Sequence, residues 1–354
     1  MRKALLILAT LAAMALIGAA LAQRWLVAGL DTPGPHSEPV IIQIQPGLSE
    51  RAVLTRLHAA GVLSEPRAIQ LWLRLYATGR SFKAGNYELP ADATPRAILE
   101  QLWSGRVVLE SLTVIEGWTF AQMRAAVAAH SALRHTVSGL DEAAIMTALG
   151  LDGLHPEGRF YPDTYRFAAG TTDLEILRLA HEQLDRRLER YWRERTADTP
   201  LQSAYEALIL ASIVEKESAL PAERPLIAGV YVSRLRRGMR LQSDPTVIYG
   251  LGDRYDGDIR TVDLRTDTPY NTYTRGGLPP TPIALPGDAA LRAVAQPTET
   301  GALFFVATGL PDGSHEFNED YAGHKLAVTR MLERQRASAR TGSPRPGSPR
   351  PGPQ

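Results

Sequence analysis

The chain has 354 residues, with 39 basic and 38 acidic side chains and a formal net charge of +1. That balance lacks the large positive field that nucleic-acid binding calls for, so nucleic acid is not an expected partner. The absence of cysteine excludes disulfides, thiolate metal sites, thiol nucleophiles and a lipid-modified N-terminal cysteine.

At the N-terminus, Arg2 and Lys3 precede an uncharged apolar run over 4–22. At about 1.5 Å per residue, such a run is long enough to cross a bilayer core. The basic pair would keep the N-terminus in the cytoplasm and send the rest of the chain across. Ala20, Leu21 and Ala22 also fit the cleavage site of a signal peptide. The run is long for a signal peptide, however, and Trp25, Leu26 and Val27 suit an interfacial anchor. The expectation is a retained single-pass anchor over 1–30 in the inner (plasma) membrane, and both alternatives place the body outside the cytoplasm.

A Pro/Gly linker over 31–38 (DTPGPHSE) is too broken for a helix. Alternating Ile and Gln predict a strand over 40–44. Ser49 caps a predicted helix that stops at Gly61, and a second helix is predicted over 65–77. The segment SFKAGNYEL (81–89) reads as a turn into a strand, and Thr94-Pro95 opens a third helix that ends near Gly105. A strand over 107–115 closes this first block, taken as a module over 39–115.

The second block, 116–336, begins at EGWTF, where Thr119 can cap a helix over 120–130. Asp141 caps another helix that runs to 149. An aromatic-rich extended or looping stretch, EGRFYPDTYRF, covers 157–167. Leu177, Ala180, Leu184, Leu188 and Tyr191 recur every three or four residues in a long amphipathic helix over 174–195. Further helices are predicted up to Glu217, over 225–237 with Gly238 as the stop, from Asp244-Pro245, and from Gly287-Asp288. Between the last two lies YNTYTRGGLPPTPIALPG (270–287), too rich in Pro and Gly for a regular element and of a kind often used for binding. A buried strand over 302–307 and an amphipathic helix over 319–336 complete the block. His315 and His324 fall in a late hairpin or loop and in that helix, where surface or structural roles are expected. The tail over 337–354 repeats GSPRP and lacks apolar residues to bury, so disorder is expected. The fold class is therefore α+β behind an N-terminal membrane helix.

The chemistry concentrates in ASIVEKES (211–218). Glu215 and Glu217 close an otherwise apolar helical run, and Pro221 ends the helix soon after. A carboxylate in the last turn meets the negative end of the helix dipole. Apolar neighbours penalise its ionised form. Both effects raise its pKa, as a general acid at neutral pH requires. From the helix alone, two solvated helix-end carboxylates are the favoured account, and helical spacing does not choose between Glu215 and Glu217. Asp244 before Pro245 is an N-cap in form. Asn271, Thr272 and Tyr273 suit a sugar face or, alternatively, pin their own loop.

Several strings carry a resemblance. FKAGNYEL (82–89), VIEGWTF (114–120), EGRFYPDTY (157–165), LASIVEKES (210–218), RLRRGMRLQSDPTVIYG (234–250), YNTYTRGGLPPTPIALPG (270–287) and HEFN (315–318) occur in this order. Together they resemble the endolytic murein transglycosylase family (MltG, or YceG-like) from about Val40 to Arg336. The resemblance implies a LysM-like peptidoglycan-binding module in the first block and the catalytic domain in the second. It implies cleavage of the β-1,4 bond between N-acetylmuramic acid and N-acetylglucosamine within nascent glycan strands. The products would be 1,6-anhydromuramyl ends, formed beside the wall synthases that would be partners. The second Glu of the E-K-E motif, here Glu217, would be catalytic, with Glu215 supporting. Glu157, Tyr165, Asp244, Thr246, Tyr249, Asn271, Thr272 and Tyr273 would bind substrate. No cofactor or metal is implied. One acid residue suffices for a lytic transglycosylase, because the attacking hydroxyl belongs to the substrate. A lysozyme-like hydrolase needs a second carboxylate, for which Glu157 and Asp244 are available. A non-catalytic glycan-binding scaffold is the third alternative.

Overall fold

The computed structural model describes residues 2–45, 47–218 and 220–340. Of the predicted tail, 341–354 lies outside the described residues. The protein is mixed α+β, with helices predominating and strands arranged in antiparallel or two-stranded ribbons. It divides into two compact units. The first holds the chain up to Ser111 with Ala132–Arg134 and Arg166–Thr171; the second holds Leu112–Ser131, His135–Tyr165 and the chain from Thr172 onward.

In the first unit, α1 (Arg2–Asp31) is the only helix among the described residues long and apolar enough to cross a membrane. Ile7, Leu8, Leu11, Met14, Leu16, Ile17 and Leu21 along it are exposed. Its C-terminal end behaves differently. Leu26 and Leu30 are buried, Leu30 within the unit's core, and Arg96 holds Asp31 at 2.7 Å. The end of α1 thus supplies side chains to the core of the first unit.

The strands β1 (Val40–Ile44) and β2 (Gly85–Leu89) pair antiparallel, with Ile42 opposite Tyr87. Their period-2 alternation turns Ile42, Ile44, Tyr87 and Leu89 to one buried face. Between them lie α2 (Glu50–Ala59), capped by Ser49 as predicted, and α3 (Pro66–Tyr76). The next helix, α4 (Pro95–Ser104), is capped by Thr94 and stopped by Gly105 in the left-handed conformation. Leu54, Leu57, Ile69, Leu73, Ile98 and Leu102 cover the ribbon. β3 (Leu109–Thr113) pairs with β4 (Thr164–Ala168).

The second unit adds α5 (Phe120–Ala129), α6 (Glu142–Leu149) and α7 (Asp173–Arg193). Thr119 and Thr172 form capping boxes with Gln122 and Glu175, each satisfying two otherwise orphaned N–H groups. The centre of the unit is α8 (Ala204–Glu217), in which every residue from Leu208 to Glu215 is buried. A helix apolar on all sides belongs inside. Around it pack α7, α9 (Arg224–Arg236) and α12 (Asp288–Ala295). Between the latter two, α10 (Asp244–Leu251) and α11 (Thr261–Arg265) lead into the long loop before α12. A hairpin of β5 (Phe304–Ala307) and β6 (His315–Asn318) precedes α13 (Tyr321–Arg340), which extends beyond the predicted end at 336.

Candidate active site

Apolar burial fixes α8, and its C-terminal turn therefore delivers two carboxyl groups to fixed places. Glu215 and Glu217 lie roughly 200° apart around the helix, so they face different surroundings. Glu215 meets Arg224 at the start of α9, at 2.8 Å, and accepts the Gly287 N–H at 2.9 Å. A side chain at position 287 would run into the Glu116 carboxyl, so glycine is what allows that approach. Burial pushes the Glu215 pKa up, while the Gly287 N–H and Arg224 pull against it. This residue is a structural clasp joining α8, α9 and the start of α12.

Glu217 faces a cavity of about 450 Å³. Its Oε1 accepts hydrogen bonds from the Tyr231 hydroxyl and, at 2.5 Å, from Ser243 Oγ. No cation pairs with it among the described residues. Burial raises its pKa, the two hydroxyls oppose the shift, and the negative charge of Asp244 adds to it. The result is a carboxyl held by neutral donors and biased toward its protonated form.

The partners of Glu217 are themselves held. Ser243 occupies the N-cap position of α10, yet its side chain makes no capping bond and turns to Glu217 instead. Its backbone N–H is bound by Thr272 Oγ1 at 2.9 Å, and its carbonyl accepts from Thr246 Oγ1 at 2.7 Å. The preceding Gln242 has φ of +52°, a conformation costly for a non-glycine residue and maintained by its surroundings. Arg234 supplies much of that restraint. Its guanidinium donates to the carbonyls of Leu303, Arg240 and Leu241 at 2.7, 3.1 and 2.8 Å, tying the loop before α10 to the approach to β5.

Asp244 and Tyr273 line the same cavity, and the Tyr273 hydroxyl donates to Asp244 Oδ1 at 2.5 Å. Gln242, Phe304, Phe305, Tyr321, His315 and His324 complete much of the wall. His315, for which the sequence suggests a surface or structural role, stands on this wall, where β6 meets Glu223, the residue before α9. Glu223 binds the His315 backbone N–H and its ring Nδ1, both at 2.7 Å. Sequence periodicity gave no sign of this pair, whose members lie 92 positions apart. The HEFN string was the only pointer.

A second cavity, about 690 Å³, is lined by Glu157, Tyr249, Pro245, Lys216, His155 and Tyr270 among others. Glu157 is 4 % exposed. It accepts from the Phe120 N–H at 3.0 Å and the Tyr249 hydroxyl at 3.1 Å. Burial outweighs these bonds and pushes its pKa up to about 7. Lys216 and Pro245, the neighbours of Glu217 and Asp244, line this second cavity, so the end of α8 and the start of α10 form the wall between the two spaces.

The remaining candidate residues lie behind the walls. Asn271 donates to the carbonyls of Asp263, Leu264 and Thr266, and its Oδ1 accepts the Tyr273 N–H. Thr272 and Thr246 bond to each other at 2.9 Å and are buried. Tyr165 is buried with its hydroxyl on the Tyr161 carbonyl. None of these four lines either cavity. Asn271 and Thr272 take the loop-pinning role that their residue types also allowed, Thr246 bonds to Ser243 and Thr272 beside them, and Tyr165 is a core residue.

The sequence model of the YceG-like family matches residues 42–330. The chain belongs to the YceG-like family. It is 31% identical over 311 residues to an endolytic murein transglycosylase of Bacillus subtilis, covering 83% of this chain and 85% of that protein. It is 28% identical to one from Streptococcus pneumoniae, covering 76% of this chain and 54% of that longer protein. A crystal structure of a YceG-like protein from Listeria monocytogenes superposes with a TM-score of 0.52 at 28% identity, covering 82% of this chain and 99% of that one.

Proposed function

We propose that this protein is a membrane-anchored endolytic murein transglycosylase in which Glu217 is the catalytic acid/base. The observation that carries the reading is the setting of Glu217, a cavity-facing carboxyl with raised pKa held by two hydroxyls. The substrate is a peptidoglycan glycan strand lying in the cavity. Protonated Glu217 donates to the glycosidic oxygen as the bond to muramyl C1 breaks. The muramyl C6 hydroxyl attacks C1, and the Glu217 carboxylate takes its proton. One GlcNAc 4-hydroxyl and one 1,6-anhydro end result, and no water is consumed. Tyr231 and Ser243 fix the carboxyl while leaving its proton available, since a neutral donor does not hold the anion as a cation would. Asp244 places negative charge on the wall facing the positive charge that develops at C1 in an oxocarbenium-like transition state.

The first unit, with its antiparallel ribbon and covering helices, is assigned as the LysM-like glycan-binding module over 39–115, and 116–336 as the catalytic domain. With Arg2 and Lys3 on the cytoplasmic side, both lie on the extracytoplasmic face, beside the synthases whose strands they would terminate. Glu217 and Asp244 share one cavity, which also fits a two-carboxylate hydrolase. Mass spectrometry of muropeptides released by the purified protein separates the two. Anhydromuramyl ends are expected; free reducing muramic ends would overturn the transglycosylase assignment in favour of hydrolysis, and no release would leave only a binding scaffold.

A further inference from the structure

We propose that His315 is a second proton-handling residue of the site. It acts as the base that takes the proton of the substrate's attacking hydroxyl, while Glu223 positions its ring. This rests on the transglycosylase reading and divides between two groups the work that the reading gives to Glu217.

Glu223 grips His315 through both carboxylate oxygens, Oε1 on the backbone N–H and Oε2 on ring Nδ1, each at 2.7 Å. Ser218 Oγ donates to the same Oε2 at 3.2 Å. A carboxylate accepting from Nδ1 fixes the proton on that nitrogen, so Nε2 carries the free lone pair. The ring is further held edge-on to Phe305, with centroids 5.6 Å apart. The histidine is thus oriented at one nitrogen, packed on one face and set on the wall of the Glu217 cavity. Both residues line this one cavity of about 450 Å³. A carboxylate-oriented imidazole facing a reacting hydroxyl is the general arrangement for proton abstraction.

The step balances. Glu217 gives its proton to the leaving glycosidic oxygen as the C1–O bond breaks. The C6 oxygen forms the new bond to C1, and its proton passes to His315 Nε2. The imidazolium is stabilised by the Glu223 carboxylate. The cycle ends with Glu217 ionised and His315 protonated, and one proton returning from histidine to carboxylate resets both.

The test uses the full-length protein in detergent with soluble uncrosslinked glycan strands. His315→Ala and His315→Gln are each expected to lower kcat by about 10²-fold, with KM within about threefold and an unchanged thermal transition. Imidazole added to His315→Ala should recover part of the rate, and should recover none in His315→Gln, where the space is filled, or in Glu217→Gln. Adding Glu223→Gln to His315→Ala should cost little more, since a positioning residue has nothing left to position. A kcat within threefold of wild type in both His315 variants, or a loss that imidazole never recovers, would overturn the assignment. Product ends report separately on the parent reading. Anhydro ends from the wild-type protein with an indifferent His315 would leave Glu217 alone in both roles, whereas reducing ends would remove the transglycosylase reading itself.

Discussion

Glu215 and Glu217 share a helix turn, a dipole environment and apolar neighbours, and burial raises the pKa of both. Their partners separate them. Glu215 faces a guanidinium, 8 % exposed, and a backbone N–H. Glu217 faces two hydroxyls and an open cavity. A cation favours the ionised form of a buried carboxylate, whereas hydroxyls leave its proton in play. The lesson is that a raised pKa does not by itself mark a general acid; the kind of partner does.

The largest test of this contrast substitutes each residue. Glu217→Gln should reduce cleavage by roughly 10²–10⁴-fold with an unchanged unfolding transition. Glu215→Ala should leave the buried Arg224 guanidinium with only the Glu116 carboxylate, at 3.8 Å, and cost at most about 3–5 kcal/mol of stability, read from denaturant unfolding, while the folded fraction keeps more activity than Glu217→Gln. Near wild-type cleavage by Glu217→Gln would reverse the two roles.

Glu157 sharpens the comparison, since it is buried and raised yet bonded as a structural group at the start of α5. Its folded pKa of about 7 lies above its ordinary value of 4.5. The unfolded chain therefore loses this proton first as pH rises. Its contribution is neutral below about 4.5, grows more unfavourable between about 4.5 and 7, and is constant above. Glu157→Gln should remove that slope and be more stable than wild type at pH 8 by up to roughly 3 kcal/mol. Denaturant midpoints of the two proteins measured across that range would refute this if they ran parallel.

The smallest effect is expected at Tyr273, whose hydroxyl holds Asp244. Tyr273→Phe removes one hydrogen bond, about 1 kcal/mol, and should lower cleavage by roughly fivefold while leaving the thermal transition in place. A fall of several degrees in that transition would instead make Tyr273 part of the loop's scaffold, together with Asn271.

Much of the molecule was legible in the sequence because the determinants are local. The apolar run of α1, the Ser49, Thr94, Thr119 and Asp141 caps and the heptad-like spacing of α7 each act within a few residues, and their elements form where predicted. The E-K-E turn was recognisable as a place for acid chemistry for the same reason. What the tertiary structure decided is the surroundings of each polar group. Ser243 reaches Glu217 across 26 positions, and Glu157 meets Tyr249 across 92. Glu223 reaches His315 from another element, and Asn271 spends its amide on its own loop. Local periodicity sets which face of a helix or strand is buried, but a carboxyl's proton affinity depends on the donors, charges and solvent within a few ångströms. Only the packing of α8, α9, α10 and the β5–β6 hairpin brings those together.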